Sequence, residues 1–297
     1  MKLSLIITNT RRKSEIFLSN TFKMKTLDGL TKSVEDDEVD GVSVVVTKHG
    51  QYIRSLPNST REDNIDSKSV TASDVLAFVN KTRNFNSTDA ISKYYAEYTA
   101  SVLESGEPFI ATYDGYKAFS SQVRDLIKSH KKLFESAGKK FNVDQYLLVA
   151  LVIDEVTRLF AFEALLDKSL LNLIGRNVSV GIAQIKLETA NSLIAKGYYK
   201  PNPDDKKLPI KGVIANADRR YLFEYVVEPK HNINFQAALI SEFIDTWSKH
   251  IDLSDRPEIL ATLYHLEYRK PRSNPESDER GNQIAVEFYE LAKKLLE

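Results

Sequence analysis

Cysteine is absent from all 297 residues, so the chain has no disulfide, no thiolate zinc site and no thiol nucleophile, and its redox compartment is left open. An excess of either charge is also missing, because 41 Lys and Arg balance 41 Asp and Glu. Balanced charge offers no electrostatic footprint for a phosphate backbone, and the short run Arg11-Arg12-Lys13 reads as a solvated turn, so no nucleic-acid partner is expected. Long apolar runs are missing as well. The longest, Tyr146 to Ile153, falls far short of the roughly 20 residues that cross a bilayer. No membrane span is expected. Leu3 to Ile7 is too short for a secretory core and the basic cluster follows it, so synthesis in the cytoplasm without a secretory signal peptide is expected. The histidines His49, His130, His231, His250 and His265 lack paired metal-ligand spacing. Neither a phosphate-binding glycine loop nor a Gly-x-Ser-x-Gly elbow occurs, so no metal and no cofactor is expected.

What is present divides in two. Residues 1–83 read as a small α+β module. Lys2 to Thr8 suits a strand, Gly41 to Thr47 and Gln51 to Leu56 suit a hairpin around Lys-His-Gly50, and Ser73 is placed to cap a helix running to about Val79. This module is a candidate for binding a protein partner, and a purely structural role is the competing reading. Residues 84–297 read as helical. Ile91, Tyr94, Tyr95, Tyr98 and Val102, then Tyr116, Phe119, Val123, Ile127 and Phe134, recur at helical spacing. These rings are expected to pack on a core, with a sugar-stacking role as the alternative. Further helices are expected over Leu187 to Lys196, Asn234 to His250, Pro257 to Tyr268 and Gln283 to Leu296, with Trp247 in the core. A charged, proline-bearing loop separates the first two, from Tyr198 to Asp218.

The chemistry concentrates at Glu155. From Leu147 to Ile153 no polar face remains, the pattern of a domain's central helix, and Asn142, Gln145 and the Phe141/Tyr146 pair fit its start. A carboxyl group leaving that helix from its apolar face, near the helix C-terminus, is pushed toward its protonated form by desolvation and by the helix dipole. Such a group can act as a general acid. The competing reading is a structural network in which Arg158 pairs with Asp154 one turn back.

Downstream, Ser179-Val-Gly-Ile-Ala-Gln-Ile-Lys-Leu-Glu-Thr-Ala190 resembles the Gly-x-x-Gln-Ile-x-x-x-Thr-Ala signature of the lytic transglycosylases, the goose-type-lysozyme-like enzymes that cleave peptidoglycan. In that family a catalytic Glu ends an apolar helix upstream, which corresponds to Glu155. Glu228-Pro-Lys-His-Asn-Ile233 is similar to the family's Asp-Pro-x-x-Asn-Ile, and Glu258 to Tyr264 to the helix that leads into Tyr-Asn-x-Gly. The resemblance spans about residues 141–274 and implies a lysozyme-like helical domain. It also implies Glu155 as the single acid/base for the β-1,4 MurNAc-GlcNAc bond, with substrate contacts at Gly181, Gln184 and Tyr264. His265 stands where the family has Asn. Two departures bear on substrate contacts: Glu155 is followed by Val156 instead of Ser, and Tyr264 by His-Leu-Glu267.

Retaining and inverting hydrolases need a second placed carboxylate, and none is placed by motif; Glu163, Asp167 and Glu267 are candidates that read more simply as surface charges. The resemblance implies instead that the muramic acid's own N-acetyl and C6-hydroxyl groups finish the reaction. The leucine-rich stretch between Glu155 and Gly181 suggests an extra short helix. The expectation is therefore a mainly α, lysozyme-like glycosidase acting on peptidoglycan strands in the cell wall, reached by a route other than a signal peptide. The alternative is a catalytically inactive lysozyme-like module that binds glycan or protein.

Overall fold

Apolar residues on both faces of Leu3–Thr8 (β1) make it an interior strand: Leu5, Ile6 and Ile7 are fully buried. It pairs antiparallel with Ser14–Ser19 (β2), which pairs in turn with Met24–Thr26 (β3). Thr26 ends that strand and caps Leu27–Glu35 (α1), its hydroxyl accepting from the Gly29 amide. The hairpin Val42–Thr47 (β4) and Gly50–Ser55 (β5) forms as the sequence suggests. Leu3, Ile6, Phe17, Leu30, Val39, Val42 and Ile53 make the core between these pieces. Ser69–Thr71 (β6) lies parallel to β1 and completes the order β3-β2-β1-β6. The next helix, Ala72–Val79 (α2), is capped by Thr71 in place of the expected Ser73, through a reciprocal pair of backbone-to-side-chain bonds between Thr71 and Asp74. Thr88–Glu104 (α3) buries Ile91, Tyr94, Tyr98 and Val102, so its aromatic stripe is core.

This computed structural model describes residues 1–297 except 10–11, 49, 58–63, 80–87, 163–178 and 267–269. The chain divides into two compact units, Met1–Gly106 with Ala161–Gly175, and Glu107–Phe160 with Arg176–Glu297. Helix α3, which the sequence assigns to the helical part, falls in the first unit. Within that unit Phe162 stacks on Tyr95 and meets Tyr94 and Phe78.

The second unit opens with a hairpin where the sequence predicts helix. Phe109–Ala111 (β7) and Lys117–Phe119 (β8) join through Thr112-Tyr-Asp-Gly115, where Thr112 accepts from the Tyr116 amide and bonds Asp114. That turn chemistry outweighs the helical spacing of Tyr116 and Phe119. Ser120–Phe141 (α4) follows and ends on Asn142, which is left-handed at φ 52°. Asn142 therefore closes α4 and does not cap the next helix; Asp144 does, accepting from the Tyr146 amide at 2.8 Å. Phe141 packs on Tyr199, and Tyr146 on Tyr289.

Gln145–Leu159 (α5) is the central helix, with every side chain from Leu147 to Leu159 buried. Each such Leu, Ile or Val contributes about 1.5–3 kcal/mol. Around it lie the short pair Ser179–Val180 (β9) and Ile185–Lys186 (β10), then Leu187–Ala195 (α6), Asn216–Val226 (α7), Pro229–Trp247 (α8), Pro257–Leu266 (α9), Glu279–Gln283 (α10), a π-helical turn Ile284–Phe288, and Tyr289–Leu296 (α11). Trp247 is core, as expected. Between α6 and α7 the proline-bearing segment 196–215 is tied down twice. Asn191 bonds both backbone groups of Ile210, and the Tyr221 and Tyr225 hydroxyls donate to Asp205. The described residues are mainly helical with some sheet, and among them no helix is long and apolar enough to cross a membrane.

Candidate functional site

The end of α5 carries Asp154, Glu155 and Arg158, all buried. Arg158 Nε reaches Asp154 at 3.2 Å, the expected pairing one turn apart, and its Nη1 donates to Asp114 of the β7–β8 turn at 2.9 Å. From the other side comes Arg280. Its Nε donates to Asp154 Oδ2 at 2.7 Å, and its Nη2 donates both to Asp154 and to Glu155 Oε1, the latter at 2.8 Å.

Arg280 is placed by the seam between α9 and α10. Asp278 caps α10, accepting from the Gly281 amide at 2.8 Å. A side chain at 281 would put a Cβ 2.0 Å from Thr262 Oγ1 and 2.6 Å from the Glu258 carbonyl, so only glycine lets α10 lie this close to α9. Thr262 adds a bond from the Asp278 amide at 3.1 Å. Sequence reasoning missed Arg280, Asp278 and Asp114. The one available signal was the cap pattern Asp278-Glu-Arg-Gly281 before the last apolar run.

Glu155 is 8% exposed. Burial pushes its carboxyl up; the Arg280 guanidinium pulls the other way, Asp154 adds to the rise, and it ends above the ordinary carboxyl value. Burial works against both arginines, but Asp154, joined by Asp114 on Arg158 and by Glu155 on Arg280, outweighs it and holds each more firmly charged.

The second motif forms the tight turn between β9 and β10. Gly181 has φ +73°, and a Cβ there would come within 2.5 Å of the Asn232 amide nitrogen. Asn232, the Asn of the Glu228-Pro block, is fully buried and pins the turn: its Oδ1 accepts from Ala183 N, and its Nδ2 donates to the Val180 and Val226 carbonyls, each at 2.8 Å. Gln184 is also left-handed, and its side-chain amide donates to the Gly181 carbonyl at 2.7 Å. The Tyr264 hydroxyl donates to the Ala183 carbonyl. His265 places Nε2 2.7 Å from Asp278 Oδ2. Burial, with Arg280 adding to it, pushes its pKa down, so the imidazole is neutral at neutral pH.

The five residues singled out from sequence thus belong to one unit. Tyr264 braces the Gly181–Gln184 turn, and the adjacent His265 connects through Asp278 to the helix whose Arg280 holds Glu155. Glu163, Asp167, Glu267 and the short helix suggested before Gly181 lie outside the described residues. Among the described residues no cluster of three His, Asp or Glu is arranged to hold a metal. The other unit carries a cleft of about 470 Å³ lined by Arg12, Lys13, Arg54 and Asp66 among others, a mixed charge that defines no ligand class. Compared with protein-family models, curated proteins and solved structures, the chain has no match in any of the three.

Proposed function

We propose that this chain is a divergent lysozyme-like glycosidase that cleaves the β-1,4 MurNAc-GlcNAc bond of peptidoglycan, of the lytic transglycosylase type, with Glu155 as its only acid/base. The observation that supports this reading best is the convergence of blocks far apart in the sequence. The Tyr264 hydroxyl bonds the Gly181–Gln184 turn, and the adjacent His265 reaches Asp278, which caps the helix whose Arg280 bonds Glu155.

Glu155 has the environment of a general acid: buried, raised in pKa and oriented through one oxygen by Arg280. On this reading Glu155 gives its proton to the glycosidic oxygen as the bond from C1 breaks. Arg280 then steadies the carboxylate that forms. The C6-hydroxyl of the same muramic acid attacks C1 and returns its proton to Glu155, leaving a 1,6-anhydro end and an unchanged enzyme. Asp154 is occupied by two arginines, so it is unsuited to serve as a second catalytic carboxylate, which favours a single-acid route. The site of action would be the cell wall.

One observation favours the non-catalytic alternative: Glu155 is already bonded to Arg280 and little exposed, as in a structural ion pair. Incubation of purified protein with sacculi, followed by mass spectrometry, separates the two. Soluble anhydromuropeptides are expected, and Glu155→Gln is expected to abolish them with the fold intact. Hydrated ends would make the enzyme a muramidase, and untouched sacculi that retain the protein would make it a binding module.

A further inference from the structure

Arg158 and Arg280 meet their counter-charges before Glu155 is counted. Arg158 is clamped between Asp154 and Asp114, and Arg280 lies against Asp154, so two cations face two carboxylates in a buried cluster. The charges acting on Glu155 itself are Arg280, Asp154 and Arg158. Beyond them stand Asp114 on Arg158, and, on the α9–α10 side of Arg280, Asp278 and the neutral His265. Among the described residues, none of these outer groups adds positive charge. Ionising Glu155 would place an unbalanced negative charge where water scarcely reaches, despite the guanidinium beside it.

We propose that Asp154 and Asp114 are positioning residues that saturate the two arginines and thereby keep the proton on Glu155. The inference rests on the glycosidase reading for its purpose, but not for its test. Asp154→Asn keeps the shape and removes one carboxylate, leaving Glu155 as the counter-ion that balances Arg280. Glu155 then ionises at lower pH, and the alkaline limb of the rate profile moves toward acid. Asp114→Asn acts the same way through Arg158, more weakly, and lies at the margin of the cluster.

The 297-residue chain labelled with 13C at glutamate carboxyls reports this directly, the Glu155 signal being assigned by its loss in Glu155→Gln. In the wild type Glu155 is expected to titrate above the ordinary value of about 4.3. Asp154→Asn is expected to lower that midpoint by about one pH unit or more, and Asp114→Asn by less. The alkaline limb of muropeptide release should move with it. A wild-type midpoint at or below the ordinary value overturns the proposal, as does a midpoint that neither variant moves. If Asp154→Asn does not fold, the wild type and Asp114→Asn decide. Intact sacculi with a displaced midpoint support the proposal and sink the cleavage reading. Released muropeptides with an ordinary midpoint do the reverse.

Discussion

Glu155 ties pH to stability as well as to chemistry. Its folded pKa lies above that of the unfolded chain, so the folded state holds the proton more tightly. Its contribution to stability is complete below the unfolded value and is lost as pH rises through the folded one. Glu155→Gln fixes the neutral form and keeps an oxygen for Arg280. Relative to wild type, the variant is expected to gain stability between pH 4 and pH 8, by about 1.4 kcal/mol for each unit of displacement. Urea melts at the two pH values measure this, and a difference that moves the other way, the wild type gaining on the variant as pH rises, would mark Glu155 as an ordinary ionised partner of Arg280. The acid was legible in the sequence because a charge in an apolar helix stands out. Arg280 was not: it sits in a charged stretch, and its role arises only when α10 closes on α9, 125 residues from Glu155 along the chain.

At the level of elements, the motif blocks hold one another in place. Asn232 alone joins α8, the end of α7 and the β9–β10 turn, through three bonds in a fully buried position. Asn232→Ala leaves one donor and two carbonyls without their partner, at an expected cost of about 3 kcal/mol. Thermal melts and hydrogen exchange at the Ala183 amide would register it; rapid exchange at that amide with the helices still protected is the expected pattern. Unchanged protection would mean that the turn is held by Gln184 and Tyr264 alone. Helices announced by long apolar periodicity, α4, α5 and α8, were readable in outline from sequence. Their ends were less so, because an Asn suits both a left-handed helix exit and an N-cap, and only packing decides which role Asn142 takes. The β7–β8 hairpin was missed because aromatic spacing was weighed above an Asp-Gly turn.

Across the molecule, the sequence suggests an α+β part over residues 1–83 and a helical part over 84–297, whereas the compact units run Met1–Gly106 with Ala161–Gly175, and Glu107–Phe160 with Arg176–Glu297. After α5 the chain gives Phe162 to the first unit, where its ring joins Phe78, Tyr94 and Tyr95. No local pattern marks that assignment, since a buried phenylalanine reads alike in either unit. Phe162→Ala is expected to destabilise the first unit by about 3–5 kcal/mol. Trp247 is the only tryptophan and lies buried in the second unit, so its fluorescence follows that unit alone. An earlier far-ultraviolet transition with an unmoved fluorescence midpoint is the expected result, and a joint shift would show that the two units unfold as one.

The double anchoring of segment 196–215 carries a thermodynamic consequence. Its two ties, Ile210 on Asn191 and Asp205 on the paired phenols, hold an irregular stretch of chain in one conformation from the outset. The entropy of ordering it is spent during folding, so anything that settles against this segment meets a preorganised wall, and association there draws nothing from its own free energy for loop closure.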